Sequence, residues 1–149
     1  MKEEAGRGYT AYGMDYQERK ESIDFDTAIA SAANYVLLEI LNSGCDVAVF
    51  SVDNENEKIL LRLLNQGNVI TEEDLLSRSY FKESFRQFTA ESIFLVILRY
   101  MQAYLNNELS DETLRHGFYK YQVGGKELSV EIKIEGDPVP QRMILRVMT

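Results

Sequence analysis

Residues 93–98 read Ile-Phe-Leu-Val-Ile-Leu, an apolar run without a break. No other feature constrains the fold as tightly. Consecutive apolar side chains on a helix point in every direction, so the run predicts a helix buried nearly all round. Its setting is the opposite, because the chain carries a formal net charge of −8. An apolar segment inside an acidic exterior describes a folded protein with one hydrophobic core. With 149 residues, such a chain buries about 70% of its unfolded surface and needs no covalent staple. The reading is one globular domain over 26–149, preceded by an arm or irregular lead-in over 1–25.

The helix holding this run is predicted over 90–106, with Thr89 as its cap and Phe88 and Ile93 as the staple around it. Three more helices are predicted over 27–43, 54–66 and 72–85. Asp26 caps the first and Gly44 closes it, with Ala28, Ile29, Ala32, Tyr35, Val36 and Leu37 on its apolar face. Asp53 or Asn54 caps the second, Glu57 completes a capping box, and Gly67 ends it. Thr71 caps the third, and Glu72, Glu73 and Asp74 complement its dipole. A short strand is predicted over 46–52, and Ser110 is read as the cap of a helical turn that ends before Gly117.

After Gly117 the period changes to two. Tyr119, Tyr121 and Val123 alternate with Lys120 and Gln122, and Leu128, Val130, Ile132 and Ile134 alternate with charged or polar residues. Gly124-Gly125 and Gly136-Asp137-Pro138 supply the turns. The segment 118–148 is therefore a three-stranded antiparallel meander whose dry face meets the 90–106 helix. The class is α+β. Three helices before a hairpin also match a winged helix, but the third is apolar where a recognition helix is polar.

Chemistry is harder to find. His116 and Cys45 are the only histidine and the only cysteine. The first is read as sitting in the last turn of the short helix, the second as a small buried residue, and neither as catalytic. Together they cannot make a structural zinc site. Asp53, Glu55 and Glu57 resemble the start of a calcium loop, but Lys58 stands where glycine belongs. No phosphate loop or nucleophile elbow occurs. No cofactor, metal or catalytic residue is expected.

Asp and Glu outnumber Lys and Arg by 24 to 16, which disfavours direct nucleic-acid binding. A lone cysteine, a leader without an apolar core and an apolar run broken by Arg99 and Gln102 predict a cytoplasmic chain with no membrane span. The expected function is that of a small non-enzymatic regulator or inhibitor that engages a basic surface on a partner protein. Immunity proteins, antitoxins and anti-defence proteins share this charge and size, an analogy and no more. The candidate contacts are Tyr9, Tyr12, Tyr16, Glu55, Glu57, Glu72, Glu73 and Asp74, and Arg78, Lys82 and Arg86 form a basic stripe at a spacing of four. The alternative is a small-ligand domain with a pocket between the buried helix and the sheet, tipped by Tyr100, Tyr104, Tyr119 and Tyr121.

Overall fold

Polar caps and glycine turns divide the described residues into three α-helices and six strands. The computed structural model describes residues 16–104 and 115–148, with side chains placed for 25–103 and 115–148. Helix α1 spans Tyr16–Ser43, and strands β1 (Val47–Asp53), β2 (Lys58–Asn65) and β3 (Asn68–Asp74) follow as a meander. A 3-10 turn at Leu75–Ser77 leads into α2 (Ser79–Ser84) and α3 (Ala90–Arg99), whose last turn widens to a π-helix at Tyr100–Tyr104. A second meander, β4 (His116–Val123), β5 (Lys126–Glu135) and β6 (Arg142–Val147), completes the described chain. The class is α+β, as expected.

The two meanders join side by side. All neighbouring strands are antiparallel, in the order β3-β2-β1-β6-β5-β4. The expected three-stranded sheet is thus half of a six-stranded one, and the short strand near its start is the central strand that pairs with β6.

One predicted helix is a strand, and another is cut to its second half. Residues 54–66 form a turn and β2 because Asp53 caps a turn rather than a helix: its carboxylate accepts from the Asn56 backbone N–H at 3.1 Å and from Asn56 Nδ2 at 2.9 Å. An Asx side chain satisfies the same backbone donor in either setting. Within β2, Ile59, Leu61 and Leu63 are fully buried while Leu60 and Leu64 are half-buried on the other face. Apolar residues on both faces hide the period of two. Gln66 (φ 51°) and Gly67 (φ 83°) form the two-residue turn into β3, where both central residues need positive φ. The predicted 72–85 helix starts late, at Ser79, because Glu72–Asp74 extend β3 against β2. Glu72 and Glu73 sit on an edge strand rather than at a helix dipole, and Asp74 caps the 3-10 turn that follows, accepting from the Leu76 N–H.

The helices pack on one face of the sheet. Helix α1 does not begin at an Asp26 cap but runs through it from Tyr16. It buries Ala28, Ile29, Ala32, Ala33, Val36, Leu37 and Ile40 at helical spacing, and Gly44 (φ 73°) ends it. Thr89 caps α3 as expected, accepting from the Ser92 N–H at 3.2 Å. Ile93, Phe94, Ile97 and Leu98 are buried, but Val96 is 39% exposed, so the apolar run has one open flank. Phe94 meets Phe50 of β1 with ring centroids 5.2 Å apart. The Tyr121 hydroxyl donates to the Met101 carbonyl at 2.8 Å, fastening the widened turn to β4.

Candidate functional site

Because the described helices lie on one side, the other face of the sheet has no layer of described residues over it. A strand alternates its side chains, so β1 sends Ala48 and Phe50 to the core and Val47, Val49 and Ser51 to this uncovered face. The register aligns residues across it in rows. One row runs Val69, Leu64, Val47, Arg146, Glu131, Phe118 and the next runs Glu72, Arg62, Val49, Ile144, Lys133, His116. Val47, Val49, Leu60, Leu64 and Ile144 are half-buried, forming an apolar band across the middle.

The charges on this face largely neutralise one another. Arg62 donates to Glu72 at 2.7 Å, and Arg142 stands 3.5 Å from Glu135. Glu131 is held most firmly. His116 Nε2 lies 2.6 Å from one of its oxygens, and Arg146 donates to the other from Nε at 2.8 Å and also from its terminal nitrogen. The bond from His116, then the one from Arg146, holds this carboxyl below the usual glutamate range. Only 8% of Glu131 is exposed although it faces outward, because its two partners cover it. His116 is thus the first residue of β4, paired across strands to a carboxylate, and not a helix terminus.

Phe118 stands at the end of its row, 64% exposed, with the His116 ring 5.5 Å away. Beside it Lys120, Ser129 and Met148 line a hollow of about 420 Å³. A second hollow of about 300 Å³ lies among Val49, Ser51, Leu60, Arg62, Glu72 and Arg142. Phe118, on the wet side of β4, and Met148, just after β6, are large exposed apolar side chains. That mismatch was visible in the sequence, since Phe118 falls in phase with Lys120 and Gln122.

The residues singled out from sequence are dispersed. Tyr9 and Tyr12 lie outside the described residues, and Tyr16 opens α1 with its side chain outside them. Glu55 is exposed in the β1–β2 turn. Glu57 accepts from the Ala90 N–H at 2.9 Å and so helps to cap α3. Glu72 faces the uncovered side, while Glu73 lies on the helix side, accepting from the Tyr35 hydroxyl and from Arg78 Nε at 2.9 Å. Asp74 accepts from the backbone of Ile59 at 3.2 Å and Leu76 at 3.0 Å.

The basic stripe is split as well. Arg78 precedes α2 and lies over the Tyr35 ring at 4.3 Å, Lys82 is exposed on α2, and Arg86 follows it, 3.4 Å from Glu83. Burial, then the bond to Glu73, raises the Tyr35 phenol well above its ordinary value. Of the pocket tyrosines, Tyr104 has its side chain outside the described residues and Tyr100 is half-buried against the core. Tyr119 and Tyr121 are buried, and Gln102 Nε2 donates to the Tyr119 hydroxyl at 3.2 Å. Cys45 is buried, which pushes its thiol up and away from reactivity.

Among the described residues, no three His, Cys, Asp or Glu side chains are grouped to hold a metal ion. No helix among them is long and apolar enough to cross a membrane. No protein-family model matches the chain, and comparison with curated proteins finds no match.

Proposed function

We propose that this protein is a small non-enzymatic regulator that docks a partner protein on the uncovered face of its sheet. One observation carries the reading: a band of half-buried aliphatics crosses the middle of that face, and beyond the Arg146–Glu131 pair stands Phe118, which is 64% exposed. Large apolar side chains gathered on one exposed face mark interaction sites, whereas scattered ones do not. The paired arginines and carboxylates around the band suit a polar rim. The net charge of −8 favours a partner of basic net charge, with the field accelerating encounter and the apolar band holding the complex.

The test is capture from the native host, with identification by mass spectrometry, followed by binding of the purified partner. Phe118→Asp and Val49→Lys are expected to weaken binding about thirtyfold each. Tyr80→Ser, at a side chain 51% exposed on the helix side, is expected to leave binding unchanged. Association should slow as salt rises from 0.05 to ~0.5 M. Equal binding by the wild type and the Phe118 and Val49 variants would overturn the reading.

A further inference from the structure

The sheet has two edges, and they differ. Edge strand β3 carries Glu72, Glu73 and Asp74, and its register with β2 shifts between Leu63 and Leu64. Charge and a bulge are the usual guards against strand addition. Edge strand β4 carries one lysine, Lys120, but neither a bulge nor a proline over His116–Val123. The Ile134 N–H donates to the Arg115 carbonyl at 2.8 Å, which fixes the phase of the β4–β5 ladder. Gly117, Tyr119, Tyr121 and Val123 therefore turn their backbone groups toward β5. His116, Phe118, Lys120 and Gln122 turn theirs outward, and among the described residues no strand pairs with them.

The side chains of those four residues lie on the uncovered face, next to the hollow between Phe118 and Met148. The charge beside this edge is opposite to that of the chain. Lys120 is 75% exposed and only 3.9 Å from Glu127 at its nearest approach, and Lys126 and Lys133 are exposed with no ion pair among the described residues. Glu131, the other carboxylate nearby, is already hydrogen-bonded to His116 and paired with Arg146. A second copy of the chain would bring these lysines against themselves. At physiological salt, charges beyond about 8 Å are screened, so the local sign decides.

We propose that β4 accepts an extended acidic segment of a partner protein as a seventh strand. Backbone bonds to Phe118 and Lys120 supply the pairing. Carboxylates on the outward face of the added strand meet Lys120 and His116, with Lys133 behind His116 in the same row, and an apolar side chain between them fills the hollow beside Phe118. This goes beyond docking on the face, since it requires free backbone groups at the edge, which face docking does not use.

The probe is a synthetic nine-residue peptide alternating Val with Glu and with one central Phe, titrated into the full-length protein. Backbone amide exchange is read by NMR. The Phe118 and Lys120 amides are expected to exchange fast in the free protein and to slow on peptide addition. Lys120→Glu and Lys133→Glu should each weaken binding about tenfold. N-methylation of the peptide amides that face β4 should abolish it while leaving the protein untouched. Tight binding of the N-methylated peptide, or of one with Lys in place of Glu, would overturn the proposal. So would slow exchange of these amides in the free protein, whether from a dimer seen by sedimentation or from a covered edge in the monomer. Loss of peptide binding with partner docking still sensitive to Phe118→Asp would sink the edge and spare the face.

Discussion

Glu131 shows how one carboxylate can be nearly buried on an outward face. Its folded-state pKa lies below the ordinary glutamate value because His116 and Arg146 bond to its charged form. A depressed folded pKa contributes stability that is fully present above the unfolded value and is lost as pH falls through the folded one. Wild type is therefore expected to lose more urea stability than Glu131→Gln between pH 6 and about 3, the gap closing at the acid end. Equal slopes for the two proteins would show that the cluster does not favour the ionised form. Little of this cluster was legible beforehand. His116 and Glu131 are 15 apart in sequence, and only the β4–β5 register makes them neighbours.

Among elements, the helix ends follow rules that could be read directly, and the strand interiors do not. Thr89 is legible as a cap because its hydroxyl needs only the next turn of chain. In sequence Glu57 fits the capping box of a local helix, yet its carboxylate accepts from the Ala90 N–H, 33 residues on. Thr89→Ala and Glu57→Ala are each expected to cost about 1 kcal/mol in chemical denaturation and to speed amide exchange in the first turn of α3. The 118–148 meander was legible because one of its faces is wet. Strand β2 was not, because it lies inside the sheet with leucines on both sides and between two turn signals shared with helices. The uncovered face is hidden for the same reason, since Leu60 and Leu64 fall within a segment that reads as the 54–66 helix.

For the whole molecule the decisive contact is the seam between the two meanders, where β1 pairs with β6. Phe50 lies at this seam, fully buried against Phe94. Phe50→Ala is expected to cost about 3–5 kcal/mol and to keep a single unfolding transition, with exchange accelerating in β2 and β5 together. Two separate transitions would mean that the meanders fold alone. The seam also sets an order of events in the cell. Val47 must wait for Arg146, roughly a hundred residues later, and loop closure over such a span makes folding slow. While the ribosome is still translating, the strand destined for the middle of the sheet is temporarily its rim. During synthesis this protein is most vulnerable to mispairing at the place that becomes its best-protected interior.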